Sequence, residues 1–260
     1  MNLGLRNKAC IVTGATSGIG AATARLLVDE GANVLLVARD HDRVGAAAAE
    51  LSQVGVALDI TRPEAAAKIV ADCEDAFGRM DVLVNNAGTS DVIGLDDLTE
   101  AEWELQWQLN VMAPMRLMQA AAPRMAERGW GRIVNVASSA GKRPSLRNPA
   151  YTVTKTAELA LSRVYADSYA AKGVLVNAVA PGPTATELWT AEGGIADQQA
   201  QQAGTSLEDE LKAAGAKVPI GRFGEPDEIA AVILFLCSEQ ASNVAGASWS
   251  VDGGIVPLFL

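Results

Sequence analysis

Three residues in the middle of the chain have side chains suited to acid–base chemistry. Tyr151 and Lys155 are four residues apart, and Ser138 precedes Tyr151 by thirteen residues. If this stretch is helical, the phenol and the ammonium group lie on the same face of the helix. A phenol loses its proton at about pH 10, and a cation a few ångströms away lowers that pKa. The pair therefore predicts a tyrosine that exchanges a proton with an alcohol or carbonyl oxygen, the alternative being a surface helix with a half-buried aromatic side chain and a solvated lysine.

A glycine-rich turn directly follows the first predicted strand and opens a helix. The segment Thr13–Gly20 has the spacing Gly-x-x-x-Gly-x-Gly. Glycine permits a tight turn and a close approach of the backbone to a pyrophosphate, and the N–H groups at a helix start favour that dianion. A strand, a glycine-rich turn and a helix in this order predict a dinucleotide site. The residues expected to form it are Gly14, Thr16, Ser17, Gly18, Ile19 and Gly20.

The tip of the second predicted strand bears on the choice of dinucleotide. An acidic residue at this place binds both ribose hydroxyls of NAD(H) and rejects a 2′-phosphate. Here Ala38 is followed by Arg39, and a guanidinium can bind that phosphate through several hydrogen bonds. NADP(H) is therefore favoured over NAD(H). The alternative is that Arg39 is solvated and Asp40 binds the ribose.

Composition disfavours several other classes of function. The 260 residues carry a formal net charge of −10, so neither nucleic acid nor an anionic membrane is an expected partner. The single histidine, His41, is expected on the surface, which argues against a Ser-His-Asp hydrolase and a histidine-rich metal site. Three widely spaced cysteines predict neither a disulfide framework nor a zinc site. No signal peptide or run of about twenty apolar residues occurs, so a cytoplasmic location is expected.

Short β-branched segments alternate with Ala-rich helical segments along the chain. This pattern predicts an α/β fold with right-handed βαβ units and a parallel sheet covered on both sides, in one domain over residues 1–260. Residues 187–218 are expected to form a lid or binding loop, the alternative being a floppy surface insertion. The predicted strands are 9–13, 33–38, 54–58, 81–85, 132–137, 174–180 and 246–251. The predicted helices lie near 18–30, 41–52, 63–77, 99–127, 150–172, 207–215 and 225–237.

Further motifs occur in a fixed order with those above. They are Asn85–Gly88, Asn110, Pro181-Gly182, Gly221–Pro226 and Val251–Gly254. Together with the glycine-rich turn, the serine and the Tyr-x-x-x-Lys pair, they resemble the short-chain dehydrogenase/reductase family over nearly the whole chain. Within this family, the sequence most resembles the 3-oxoacyl-(acyl carrier protein) reductases and their relatives. The resemblance implies a Rossmann-type doubly wound sheet of seven parallel strands and hydride transfer between NADP(H) and a carbonyl or secondary alcohol, with NAD(H) as the alternative cofactor.

The resemblance also implies roles for individual residues. Ser138 would orient the substrate oxygen, Tyr151 would be the acid–base group, and Lys155 would bind the nicotinamide ribose and lower the Tyr151 pKa. Ser139, next to Ser138, is expected to face elsewhere. Contacts with the dinucleotide are implied for Asp59, Ile60, Asn86, Ala87, Gly88, Pro181, Gly182, Thr184 and Thr186.

Asn110 is expected to take part in a proton relay. In the family this relay is thought to run from Lys155 through a water held by the Asn110 carbonyl group. Pro114 has no N–H, so the Asn110 carbonyl would lose its helical partner and be free to hold that water. The alternative is that Pro114 only kinks the helix.

The identity of the substrate is left open by the sequence. The resemblance implies contacts from Ser90, Ile93, Lys142, Arg143, Leu146, Asn148, Leu188 and Trp189. An acidic carrier protein binding to Arg124, Arg128 and Lys172 is one alternative. A non-catalytic nucleotide-sensing protein is another, although such a protein would usually have lost at least one of the three acid–base residues.

A homotetramer is expected because the family commonly forms one. The C-terminal segment 255–260 is too apolar to lie in water, so burial against a neighbouring subunit is expected. The helix that carries Trp103 and Trp107 is a second candidate contact face, although aromatic residues at this spacing more often belong to the core.

Overall fold

Seven parallel strands form a single sheet in the computed structural model, which describes residues 2–257. The order is β3-β2-β1-β4-β5-β6-β7, so the direction of winding reverses between β1 and β4. This confirms the α/β, doubly wound, seven-stranded fold class, and each strand lies within two residues of its prediction. The strands are β1 Ala9–Thr13, β2 Asn33–Ala38, β3 Val54–Ala57, β4 Val82–Asn85, β5 Gly131–Val136, β6 Val174–Pro181 and β7 Ser248–Val251.

The central strands are apolar on both faces because helices cover the sheet on both sides. Every residue of β1, β4 and β5 is buried. Alternate residues of β1 enter two separate cores: Ile11 packs in one, while Cys10 and Val12 pack in the other. Full burial of one such aliphatic side chain stabilises the fold by about 1.5–3 kcal/mol. The two layers hold the carboxyl ends of the strands rigidly at one edge of the molecule.

The described residues 2–257 form ten α-helices around the sheet. Helices α3, α5 and α6 contribute to one core, and α1 and α10 contribute to the other. The helices are α1 Gly18–Asp29, α2 His41–Leu51, α3 Ala65–Phe77, α4 Glu100–Trp107, α5 Ala113–Glu127, α6 Pro149–Tyr169, α7 Glu187–Thr190, α8 Ile195–Ala203, α9 Leu207–Ala216 and α10 Pro226–Cys237.

The helix predicted over 99–127 is interrupted. One turn of π-helix, Gln108–Met112, lies between α4 and α5, and the Ala113 N–H donates to the Gln108 carbonyl five residues back. Pro114, at the start of α5, lacks an N–H, and its ring would clash with the carbonyl four residues earlier in a regular helix. The extra residue in the turn relieves that clash, since a π-bulge widens the helix locally.

Residues 187–218 are more ordered than the sequence indicated. Helix α9 was predicted, whereas α7 and α8 were not. The Gly193-Gly194 pair separates these two short helices, and the Gln/Ala-rich run that follows is composed of good helix formers. The alternative of a floppy insertion is therefore wrong, because three helices occupy the segment.

His41 is exposed, and all three cysteines are free and buried. Burial raises the pKa of the Cys73 and Cys237 thiols to about 12, so neither is a reactive thiolate. Over residues 2–257 we find no helix with the length and apolar character needed to cross a membrane. The same residues contain no group of three or more His, Cys, Asp or Glu side chains arranged to hold a metal ion.

Candidate active site

A cleft of about 1160 Å³ opens along the carboxyl ends of the strands. Ligands bind at this edge in open α/β sheets, where the strand order reverses. Its volume slightly exceeds that of pockets for drug-sized ligands, which reach about 1000 Å³. The cleft is therefore large enough for a dinucleotide together with a small second molecule. The predicted residues on its wall are Gly14, Thr16, Ser17, Gly18, Ile19, Arg39, Ile60, Asn86, Ala87, Gly88, Ser138, Tyr151, Lys155, Pro181, Gly182, Thr184 and Thr186.

The glycine-rich turn has a backbone that only glycine adopts easily. Gly14 and Gly18 have φ angles of +64° and +51°, in the left-handed region. A methyl group on Gly18 would also lie 2.9 Å from the Thr186 side chain. Gly20 lies behind the wall, where a methyl group would collide with the Gly14 carbonyl oxygen. The turn is thus packed too tightly for side chains and exposes its backbone to the cleft.

The start of α1 is suited to an anion. Ser17 occupies the N-cap position but makes no capping hydrogen bond, and the first turn contains no acidic residue. The first N–H groups of a helix have no partner within the helix, and the helix dipole favours negative charge there. These N–H groups therefore fit a phosphate, which is the chemistry the glycine pattern predicted.

The end of β4 is fastened to the glycine-rich turn. The Thr13 hydroxyl accepts the N–H groups of Asn86 (3.0 Å) and Ala87 (3.1 Å). In return, the Asn86 side-chain amide donates to the Thr13 carbonyl at 2.9 Å. The Asn86 side chain thus braces the wall of the cleft, and the backbone of residues 86–88 faces the ligand space.

Arg39 and Asp40 differ in their surroundings although both lie on the cleft wall. One oxygen of the Asp40 carboxylate accepts the N–H groups of Asp42 (3.0 Å) and Arg43 (2.9 Å) and so caps α2. Arg39 is exposed and has no hydrogen-bond or ion-pair partner among the described residues. The guanidinium is therefore available to a ligand, while part of the carboxylate is already engaged.

Asp59 does not line the cleft, in contrast to the expectation that it would hold the adenine ring. Its carboxylate turns back to Thr61 and accepts the Thr61 hydroxyl at 2.7 Å and the Thr61 N–H at 3.0 Å. These hydrogen bonds, the hydroxyl foremost, lower the pKa of Asp59. Ile60, the next residue, lies on the wall as predicted.

The three acid–base residues all line the cleft. Tyr151 and Lys155 lie in the first two turns of α6, which begins at Pro149, and the Lys155 Nζ is 5.8 Å from the centre of the Tyr151 ring. Ser138 follows β5 and its hydroxyl oxygen accepts the Ala140 N–H at 3.1 Å. Ser139 borders the cleft as well, and the direction of its hydroxyl group stays a prediction.

Asn110 lies behind the cleft wall in the π-helical turn and is buried. Its amide nitrogen donates to Gln106 Oε1 at 2.7 Å and to the Thr154 hydroxyl at 3.2 Å. Its Oδ1 has no hydrogen-bond partner among the described residues. A methyl group on Gly88 would lie 3.2 Å from this oxygen and 3.6 Å from Lys155 Nζ, so both polar atoms border the same glycine. The role of the Asn110 carbonyl group stays a prediction.

Lys155 has a buried acidic partner that sequence analysis missed. Its Nζ donates to the Val136 carbonyl at 2.8 Å and to Glu158 Oε2 at 2.7 Å. Burial alone would lower the pKa of Lys155, but the Glu158 carboxylate and the Tyr151 hydroxyl more than offset it, so the pKa is raised. Burial raises the pKa of Glu158 in turn. The signal was present, since residues three apart share a helix face.

The substrate end of the cleft differs in part from its prediction. Ser90, Ile93 and Lys142 do not line it; the Lys142 ammonium instead donates to the Ser248 carbonyl at 2.6 Å. The unexpected wall residues include Arg43, Leu109, Gln199, Lys217 and Val256. The expected residues found there are Arg143, Leu146, Asn148, Leu188 and Trp189.

Helices α7 and α8 are tied across the cleft to its opposite rim. The Val92 N–H donates to Gln198 Oε1 at 2.7 Å, and the Gln202 side chain donates to the Val92 carbonyl at 2.8 Å. Glu187 forms an ion pair of 3.0 Å with Arg43. Val92, Arg43 and Glu187 line the cleft, so these contacts join α7 and α8, the roof of the cleft, to its wall.

Comparisons with known proteins agree with this geometry. A family profile described as enoyl-(acyl carrier protein) reductase matches residues 14–256. The uncharacterized oxidoreductase YvrD of Bacillus subtilis is 36% identical, over 98% of this chain and 99% of its own. D-beta-hydroxybutyrate dehydrogenase of Cupriavidus necator is 35% identical, over 97% and 99%.

A solved structure extends the likeness to three dimensions. The L-sorbose reductase of Gluconobacter frateurii, complexed with NADPH and L-sorbose, has a TM-score of 0.93 and 34% identity, with 100% of both chains covered. Sequence motifs, strand order and cleft therefore agree with one another. The chain belongs to the short-chain dehydrogenase/reductase family, oxidoreductases that act on CH–OH groups.

Proposed function

We propose that the protein is an NADP(H)-dependent oxidoreductase that interconverts a carbonyl group and a secondary alcohol, with Tyr151 as the acid–base group. The observation that carries this function is the pairing of Tyr151 and Lys155 on one face of α6, with 5.8 Å between the ammonium and the ring centre. Both side chains line the cleft that also contains the glycine-rich turn.

The residues present fit a nicotinamide dinucleotide. The uncapped start of α1 and the exposed backbone of Gly14 and Gly18 suit its pyrophosphate. Ile60 and residues 86–88 would flank the adenosine, and Pro181, Gly182, Thr184 and Thr186 would flank the nicotinamide. When bound, the cofactor supplies or accepts a hydride at the substrate carbon.

The chain's own residues handle the proton. In the direction of reduction, Tyr151 donates its hydroxyl proton to the carbonyl oxygen as negative charge develops there, and the Ser138 hydroxyl donates a hydrogen bond to the same oxygen. In the direction of oxidation, the phenolate accepts the alcohol proton. The positive charge of Lys155, 5.8 Å from the centre of the Tyr151 ring, stabilises negative charge that develops on the phenol oxygen during the transfer.

Asn110 is proposed to support the return of the proton through Lys155. Pro114 has no N–H to donate to the main-chain carbonyl of Asn110, the group expected to hold the water of the relay. The side-chain Oδ1 is a second buried acceptor, without a donor in residues 2–257, next to Gly88 and near the Lys155 ammonium. Buried polar atoms almost always have a partner, so this oxygen suits an ordered water in the relay.

The preference for NADP(H) over NAD(H) is supported by Arg39. Its guanidinium is exposed on the cleft wall without a protein partner, whereas Asp40 is engaged in capping α2. The structurally similar L-sorbose reductase was solved with NADPH. NAD(H) remains the alternative cofactor.

A small substrate is favoured over one attached to a carrier protein. The similar proteins named above act on L-sorbose and D-beta-hydroxybutyrate. Two of the cations considered for a carrier are already paired, since Arg124 and Arg128 lie 3.3 Å and 3.7 Å from the Glu74 carboxylate. We therefore propose a small polar ketone or its alcohol, with residues 187–218 acting as the lid of the site.

Homotetramer formation and a cytoplasmic location complete the proposal. Apolar side chains exposed on α4 and α6, including Leu105, Trp107, Val153 and Val164, support an interface. Of the apolar C-terminal segment, Val256 is buried, and residues 258–260 lie outside the described residues. The three buried free thiols support a reducing compartment.

Replacement of Tyr151 by Phe tests the function. Tyr151→Phe should retain NADPH binding in a fluorescence titration yet reduce kcat on a ketone panel that includes L-sorbose by about 10²–10⁴-fold. Tyr165→Phe is the matched control. Tyr165 lies on the same helix and its hydroxyl donates to the Met115 carbonyl, so this variant should keep full activity. Near-normal turnover by Tyr151→Phe, or no binding of either dinucleotide by the unmodified protein, would refute the proposal.

A further inference from the structure

Glu158 is a buried carboxylate for which the proposed reaction has no direct use. It is 1% exposed, and its partner Lys155 is 3% exposed. Their charged atoms are 2.7 Å apart. Acidic residues are almost never this deeply buried unless they are paired. The position of Glu158 therefore calls for an explanation in terms of Lys155.

The pair fixes the direction of the Lys155 ammonium. Of its three N–H groups, one donates to the Val136 carbonyl at the end of β5 and one donates to Glu158. The third is left for a ligand. Gly88 borders Nζ on the cleft side. A methyl group added to Gly88 would be 3.6 Å from Nζ, so the glycine leaves the ammonium group accessible. Two fixed bonds on the protein side thus leave a single donor beside the glycine that borders the cleft.

Burial makes a counter-charge necessary. An amine taken out of water prefers its neutral form, and buried lysines can lose their proton several pH units early. Glu158 is the acid that opposes this effect. Tyr151 is the other titratable group that acts on Lys155. No further charged group of residues 2–257 acts on either member of the pair. Gln106, Asn110 and Asn135, buried polar residues on elements that pack against α6, carry no charge.

Fold stability alone does not account for this pair. A buried ion pair gains little net free energy after desolvation, and an apolar pair of similar size is often as stable. Building on the function proposed above, we propose that Glu158 is a positioning residue that keeps Lys155 protonated and directed toward the dinucleotide at alkaline as well as neutral pH. It acts through Lys155 and contacts neither substrate nor cofactor.

Thermal stability across pH tests this role without any cofactor. In Glu158→Gln the hydrogen bond can persist while the charge is lost, so Lys155 should lose its proton at lower pH in the folded state than in the unfolded state. Folding then releases a proton from Lys155, and a rise in pH favours the variant. The gap in Tm between the unmodified protein and Glu158→Gln should therefore shrink from pH 7 to pH 10.

Asp167→Asn is the matched control, because Asp167 lies on the same helix and pairs with Arg163 at the surface. The difference in Tm between the unmodified protein and Asp167→Asn should stay constant from pH 7 to pH 10. A constant gap for Glu158→Gln as well would overturn the proposal and leave only a packing role. If Glu158→Gln does not fold, the double variant Lys155→Met/Glu158→Leu decides. If the double variant folds, the unpaired charge of Lys155 is the reason why Glu158→Gln does not fold, which supports the proposal. If the double variant does not fold either, the proposal is contradicted.

Dinucleotide binding gives a second measurement. The NADPH Kd of Glu158→Gln should rise about tenfold or more from pH 7 to pH 10, relative to that of the unmodified protein, as a hydrogen bond from a charged donor is lost. Parallel Kd curves would contradict the proposal. If neither protein binds NADPH, the proposed cofactor is wrong, yet the Tm measurement still decides the role of Glu158.

Discussion

Adjacent residues at the end of β2 have opposite charges but different freedom to bind a ligand. Asp40 directs a carboxylate oxygen at two backbone N–H groups of α2, so moving it would remove the helix cap. Arg39 makes no such contact and lies exposed at the rim of the cleft. The choice between NADP(H) and NAD(H) is therefore expected to depend on the arginine.

Replacement of Arg39 should change cofactor preference more than cofactor affinity in general. A hydrogen bond with a charged group contributes about 1.5–3 kcal/mol, so Arg39→Ala should raise the Kd for NADPH about 10–100-fold. The Kd for NADH should change little, because NADH lacks the 2′-phosphate. Fluorescence titration with both dinucleotides measures the ratio. Arg62→Ala, an exposed arginine that does not line the cleft, is the control.

If Arg39→Ala raises the Kd for NADPH and for NADH equally, the guanidinium contacts a group that both dinucleotides share. No effect on either would assign Arg39 to solvent. In both cases the preference for NADP(H) would lose its support.

Site residues could be predicted where their chemistry depends on local sequence. The glycine-rich turn and the Tyr151–Lys155 pair each depend on fixed spacing within one element, and the structure brings both to the cleft. Asp59 and Lys142 were misplaced because they have other partners nearby, the Thr61 hydroxyl and the Ser248 carbonyl. Such competition between hydrogen-bond partners depends on tertiary packing, which the sequence does not display.

Helix α8 is held to the rim by side chains one turn apart. Gln198 and Gln202 lie on the same face of the helix and together satisfy both backbone polar groups of Val92. Each such bond stabilises the closed arrangement by about 0.5–1.5 kcal/mol. Two bonds of this strength can break and re-form, which is what the proposed lid requires.

Removal of both glutamine contacts should weaken substrate binding selectively. Gln198→Ala/Gln202→Ala should raise KM for the carbonyl substrate roughly tenfold, because part of the binding energy must then order the roof. The Kd for NADPH should stay within a factor of about two, since the glycine-rich turn is untouched. Gln201→Ala is the control, as its amide bonds only to Asp197 in the same helix. Unchanged KM in the double variant would show that α8 does not act as a lid.

Helices and strands could be predicted where the hydrophobic periodicity was strong. The prediction failed where a single residue or a short polar segment determined the local backbone geometry. The strands stand out because apolar β-branched residues fill both faces of a covered sheet. The π-helical turn lies directly before Pro114, and no pattern of hydrophobic residues records the effect of one proline on helix geometry. Helix α8 was missed because the glycines before it and its polar surface resemble a loop.

At the scale of the molecule, α4 and α6 expose large apolar side chains although the chain carries a formal net charge of −10. Val153 and Val164 are 46% and 61% exposed on α6, and their separation of eleven residues places them on the same side of the helix. Leu105 and Trp107 are exposed on α4, which packs beside α6. Monomeric proteins rarely expose a large contiguous apolar patch, so this side is expected to bury against another copy of the chain.

A charge placed on this face should dissociate the assembly without unfolding the subunit. Val164→Glu would force a carboxylate into the interface, where an unpaired charge is costly. Light scattering at micromolar concentration should give a mass of four chains for the unmodified protein and a smaller mass for the variant, with an unchanged circular dichroism spectrum. Ala46→Glu, at an exposed position on α2, introduces the same charge elsewhere and should leave the mass unaltered. A tetramer that tolerates Val164→Glu would show that this side of α6 faces solvent and that assembly uses another surface. A monomer before any substitution would contradict the tetramer itself.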